Sequence, residues 1–144
     1  MTVDNSDPTA LAIIDVSSGM TRWLDDGAFY AESIRLFIDK YNRFSVLIND
    51  QIEVSNFREA RKLAHSVKGA AGTLSLPALE YTASQLEHRL IDELNREKET
   101  LTEVTIQECQ ANFTHALENV LSHSERLIQV FLEEGANING VSKQ

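Results

Sequence analysis

The stretch AHSVKGAAGTLSLPALEYTASQLE, residues 64–87, decides how this chain folds. Its first half continues an apolar period of three and four that begins at Phe57 and runs through Ala60, Ala64, Val67, Ala71 and Leu74. That spacing predicts a helix over about 56–74, with Ser55 or Asn56 as its N-cap. The helix stops before Ser75-Leu76-Pro77, and Pro77 suits the first turn of a new one, where its missing N–H has no intrahelical partner in any case. Leu79, Ala83, Leu86, Leu90 and Leu94 then hold the same period to about Arg96. Two helices joined by so short a turn pack as an antiparallel hairpin.

Working outward, Tyr30, Ile34, Phe37, Ile38, Tyr41, Phe44 and Ile48 form one helical stripe over 29–48, preceded by a short helix around Ser17 to Leu24. The polar run NREKETLTEVT holds the next connection, after which Ile106, Cys109, Phe113, Ala116, Val120, Leu127 and Phe131 mark a last long helix whose stripe is interrupted at Ser124. No period-two alternation is long enough for a sheet. The expected fold is all-α: an antiparallel up-down-up-down four-helix bundle with a short additional N-terminal helix across one end. The helical domain is expected over 11–134, flanked by tails at 1–10 and 135–144, the latter because GANINGVSKQ carries no amphipathic pattern.

Composition narrows the function. At 144 residues the chain is one domain by length, 42% hydrophobic and 24% charged, and no apolar run approaches the roughly 18 to 20 residues that cross a bilayer. The N-terminus lacks the pattern of a secretory signal, and a single cysteine, Cys109, fits a reducing cytoplasm. On the apolar stripe of the last helix it reads as a small core residue. A net charge of −9 argues against nucleic acid as a partner. His88, His115 and His123 do not make a metal-ligand set, since the last two lie eight residues apart on one helix and diverge around it. Trp23, Phe29 and Tyr30 are read as packing residues where the short helix meets the bundle, with the alternative that some of them border the partner surface.

The helix over 56–74 carries the chemistry. Advancing about 100° per residue from Phe57, the apolar side chains fill an arc of roughly 220° to 360°, while His65 falls at roughly 80° and so faces outward. Around it lie Lys68 at roughly 20°, Arg61 at roughly 40°, Gly72 at roughly 60°, Arg58 at roughly 100°, Gly69 at roughly 120° and Lys62 at roughly 140°. Four cations against one anion, Glu59, make this a positive stripe on an acidic protein, a surface for an anion or an acidic partner. Two of the six glycines of the chain, Gly69 and Gly72, sit in this helix although each costs about 1 kcal/mol against alanine there. Either they let a foreign backbone approach, or a neighbouring helix crosses at that point.

An outward imidazole is a competent nucleophile near neutral pH. Phosphoryl transfer asks mainly for in-line approach and cations to balance the phosphoryl oxygens. His65 with Lys68 one turn on meets these needs, yet the sequence has no Walker-type glycine loop, nucleotide-binding pattern or acidic magnesium pocket. The opposing chemistry would have to come from partners.

At these residues the sequence resembles the histidine-containing phosphotransfer (HPt) family of two-component phosphorelays. The match centres on Ala64 to Glu87, with its H-x-x-K-G core of His65, Lys68 and Gly69, and extends to IDVSSGMTRWLDDGAFYAESIRLFIDKY, Ile14 to Tyr41. The resemblance implies that His65 is phosphorylated on its outer ring nitrogen, that Lys68 supports the phosphoryl group, and that Gly69 leaves room for a docking receiver domain. Response-regulator receivers and a hybrid sensor kinase are the implied partners, with magnesium held by the receiver and no cofactor on this chain. Glu87 falls where some family members use a glutamine; an acidic side chain there orients the free imidazole through a ring N–H, or is simply a surface carboxylate.

The expected function is thus a monomeric cytoplasmic phosphocarrier, not an autonomous enzyme, with Arg58, Arg61, Lys62, Gly69 and Gly72 forming the partner surface. The alternatives are the dimerising histidine helices of a sensor kinase, and a non-catalytic interaction module whose basic stripe binds an acidic protein.

Overall fold

The computed structural model describes residues 11–22, 26–95 and 105–142, with side chains through Gln129 other than that of Arg22. Among them every regular element is a helix: α1 (Val16–Arg22), α2 (Gly27–Tyr41), α3 (Phe44–Glu53), α4 (Phe57–Thr73), α5 (Pro77–Asn95) and α6 (Ile106–Ser142). No helix among these residues is long and apolar enough to cross a membrane.

Local sequence sets most boundaries. The side chains of Asp15, Asp26, Asn56 and Thr105 accept hydrogen bonds from the N–H groups of Ser18, Phe29, Glu59 and Glu108, capping α1, α2, α4 and α6. The ends of α3 and α4 share another device. At each a serine takes a left-handed conformation, Ser55 and Ser75 both at φ 59°. The N–H of Asn56 reaches back to the Gln51 carbonyl at 2.8 Å, and that of Leu76 to the Ala71 carbonyl at 2.9 Å. These are Schellman closures, which usually place glycine at the left-handed position. The chain then turns directly into the next element, and α5 starts at Pro77 as its sequence predicts.

The stripe over 29–48 is not one helix. It breaks at Asn42-Arg43, and α3 beyond the break packs on α4 and α6 with Ile48 buried. Apolar residues recur at a spacing of three across the break, so periodicity does not register it. Phe37, Tyr41 and Phe44 hold the corner, with successive ring centroids 4.8 Å and 4.6 Å apart. The last helix differs as well: its backbone runs to Ser142, through the stretch from 135 that was expected to be a tail. Propagating a formed helix gains a hydrogen bond per residue, and glycine weakens this without ending it. The N-terminal stretch 1–10, with Trp23 and Leu24, lies outside the described residues.

Helix α4 packs on α5, α5 on α6, α6 on α2, and α3 against both α4 and α6, which closes the bundle around one core. Tyr30, Ile34, Phe37, Ile48, Val67, Leu79, Leu86, Leu90, Phe113, Leu117 and Val120 are buried in it. Each side chain of this size contributes roughly 1.5–3 kcal/mol by leaving water. Ser124, where the stripe seemed interrupted, is also buried, and its hydroxyl donates to the Leu121 carbonyl at 3.1 Å. Leu94, at the end of its stripe, is exposed instead, and so is Phe29, whereas Tyr30 is sealed. Cys109 is a core residue; burial pushes its thiol above the ordinary range, against a weaker pull from Arg89.

Tyr30 joins three parts of the fold. Its hydroxyl donates to the Leu74 carbonyl at 2.6 Å, satisfying the end of α4, and its ring lies where a Cβ on Gly19 of α1 would have to go. The segment before α1 adds backbone bonds from Asp15 N–H to the Ser75 carbonyl and from Ala78 N–H to the Ala12 carbonyl. Tyr30→Phe is therefore expected to lower the unfolding free energy by about 1–2 kcal/mol, read by urea denaturation. Ser75→Gly should raise it by roughly 0.5–1 kcal/mol, since it relieves a left-handed side chain. It also removes a buried hydroxyl that has no hydrogen-bond partner among the described residues.

Candidate functional site

The hairpin of α4 and α5 builds the site. The inner face of α4 is made of Ala60, Ala64, Val67 and Ala71, all fully buried, and such small side chains let α5 lie close alongside. Leu79, Ala83, Leu86 and Leu90 turn the core face of α5 inward, and Glu87, next to Leu86, falls at the seam between the two helices. Its side chain is only 6% exposed, whereas that of His65 opposite is 64% exposed.

The two meet in a short hydrogen bond, His65 Nδ1 to Glu87 Oε2 at 2.6 Å. A carboxylate can only accept, so Nδ1 carries the proton and, in the neutral ring, the free lone pair belongs to Nε2. Nε2 has no hydrogen-bond partner among the described residues. Lys68 Nζ donates to the other oxygen of Glu87 at 3.3 Å, and Arg61 lies 3.7 Å from Oε2. One buried carboxylate thus gathers an imidazole, an ammonium and a guanidinium, all from α4. Taking such a group out of water costs several kcal/mol unless charge and hydrogen bonds offset it, and these three groups do so.

This arrangement sorts the cationic stripe. Arg61 and Lys68 are committed to Glu87 and about one-third exposed, while Arg58 and Lys62 are exposed and form no ion pair with described residues. The helical wheel held a signal for this division, because Arg61 and Lys68 lie nearer the core edge than the other two. What it lacked was the identity of the residue arriving from α5. Glu87 is accordingly not a surface carboxylate but the centre of the cluster.

The two glycines separate in the same way. Among the described residues no atom beyond the local helix backbone and the chain neighbours of Gly69 lies within 4 Å of where its Cβ would stand, so the surface there is open. At Gly72 a Cβ would run into the Glu80 carboxylate of α5, so a side chain of the neighbouring helix lies over this glycine. Beside Gly69 an open groove of about 360 Å³ runs between α2 and α4, lined by Leu36, Phe37, Lys40, Tyr41, Gly69 and Thr73 among others. Leu36 is 60% exposed there. Sequence reasoning missed this apolar surface, because Leu36 falls off the stripe of Tyr30, Ile34, Phe37 and Tyr41 that periodicity picks out. Tyr41 forms its inner wall and is fixed by a 2.9 Å hydrogen bond to Ser66.

His88, His115 and His123 are exposed on separate faces, and among the described residues no group of histidine, cysteine and carboxylate side chains could hold a metal ion.

A family scan matches the Hpt domain over residues 32–124. That span covers most of the chain and includes the whole site, so the chain belongs to the Hpt family, whose members carry phosphoryl groups in two-component phosphorelays rather than acting as kinases. Neither a comparison with curated proteins nor one with solved structures gives a match.

The local geometry makes the two glycines behave differently when filled. Gly69→Ala is expected to raise the unfolding free energy by up to about 1 kcal/mol through helix propensity alone. Gly72→Ala should gain less because Glu80 must move, and thermal melts of both variants measure the difference.

Proposed function

We propose that this chain is a phosphorelay intermediate that accepts a phosphoryl group on His65 from a receiver-domain aspartyl phosphate and passes it to the aspartate of another receiver. The observation that carries this reading is the short Nδ1 bond to a buried carboxylate beneath a ring that is otherwise in solvent. It fixes the tautomer and aims the lone pair of Nε2 outward.

In the forward step Nε2 attacks phosphorus, the N–P bond forms, the P–O bond to the donor carboxylate breaks, and the electron pair leaves with that carboxylate. No proton need move, because Nδ1 already holds one. The product ring is cationic, and Glu87 lies against it. Lys68, one turn along, supplies a cation for the phosphoryl oxygens. The receiver brings the second aspartate and the magnesium ion; this chain supplies the nucleophile and its electrostatics, as a carrier without kinase activity. The open surface at Gly69 and the apolar groove beside it support a receiver seated over α2 and α4, with the exposed Arg58 and Lys62 at its border. The order of helix neighbours supports an up-down-up-down course for the bundle. A hybrid sensor kinase would be the source of the phosphoryl group, and the chain would act as a monomer in the cytoplasm.

Incubation with a phosphorylated receiver is expected to place acid-labile label on the chain, and His65→Gln should abolish it. Unchanged labelling of that variant excludes His65, and receiver binding of full affinity without any transfer would favour a plain interaction module. Gly69→Glu should fold normally yet transfer at least about tenfold more slowly, as burying an unpaired charge at an interface costs well over 1.4 kcal/mol.

A further inference from the structure

Glu87 and Arg61 both belong to the cluster, and the phosphorelay reading gives Arg61 no task and Glu87 none beyond orienting the ring and facing its charge. Lys68 has two calls on it: the carboxylate it holds at 3.3 Å and the phosphoryl oxygens one turn away. If Lys68 left, Glu87 would be a buried anion short of one partner. Arg61 at 3.7 Å and the ring at 2.6 Å are the groups able to take over its charge.

We propose that Glu87 and Arg61 form a counter-ion switch: Glu87 shares Lys68 while His65 is free and surrenders it when the phosphoryl group arrives, with Arg61 and the now cationic ring neutralising the carboxylate. The inference rests on the phosphorelay reading and deepens it. Both are positioning residues, since they act through His65 and Lys68.

The switch also governs the return step. When the accepting aspartate attacks phosphorus, the P–N bond breaks and the electron pair returns to Nε2. With a proton on Nδ1 the group that leaves is a neutral imidazole; without one it is an imidazolate, a far poorer leaving group. A carboxylate against Nδ1 favours the cationic phosphorylated ring, so the proton is kept to higher pH than beside a neutral amide. The charged groups around the ring are Glu87 from α5 and Arg61 and Lys68 from its own helix. Arg58 and Lys62 stand on the outer side of α4, and Lys40 of α2, over the Tyr41 ring, borders the groove beyond Gly69.

The test phosphorylates the full chain with phosphoramidate, which needs no receiver. It follows the phosphohistidine by phosphorus NMR against pH, and then measures transfer to a receiver across the same range. Glu87→Gln, nearly isosteric, is expected to move both the NMR midpoint and the alkaline limb of transfer to lower pH. Arg61→Gln should slow phosphoryl acceptance several-fold by leaving Lys68 bound to Glu87. In the double variant acceptance should return to within about twofold of Glu87→Gln alone, the non-additivity expected of coupled residues. A folded Glu87→Gln protein with an unmoved midpoint overturns the proposal, as does an Arg61→Gln defect that persists in the double variant. A wild-type chain that takes no phosphoryl group on His65 from either donor defeats the phosphorelay reading itself, and this proposal with it.

Discussion

The close packing of α4 on α5 is the constraint from which the site follows. A face of Ala60, Ala64, Val67 and Ala71 offers little side-chain bulk, so α5 approaches near enough for Glu87 to reach across the seam. Larger residues on that face would part the helices and strand the carboxylate between water and the core. The packing that stabilises the bundle and the electrostatics that orient His65 thus share one cause. The same approach explains Gly72, which lies under the Glu80 carboxylate on that seam.

A buried carboxylate is expensive unless fully met, and this one is met by three groups of the opposite helix. The cluster therefore works as a cross-helix tie and as a setting for the imidazole. Its geometry leaves one nitrogen of His65 for outside chemistry. The Hpt match over residues 32–124 spans this cluster, in which the His65 ring is the exposed member.

Much of this was legible in the chain itself. Apolar spacing gave the hairpin of α4 and α5, Pro77 gave the start of α5, and the wheel turned His65 outward while keeping Val67 and Ala71 inside. The misses share a feature. The break at Asn42-Arg43 preserves apolar spacing, the continuation of α6 to Ser142 needs no apolar pattern, and Ser55 and Ser75 occupy left-handed positions where glycine is the usual signal. In each case the backbone does something that side-chain periodicity does not encode.

For the site the division is sharper. Sequence alone determined that position 65 bears an outward imidazole on a cationic helix, because the angular position of a residue follows from helix geometry and needs no neighbour. Only the tertiary structure decided which cations are free, which glycine is open and what Glu87 does. Those are properties of pairs: Arg61, Lys68 and Gly72 each acquire their meaning from a side chain of α5, and the distance across a helix interface is set by packing rather than by spacing along the chain.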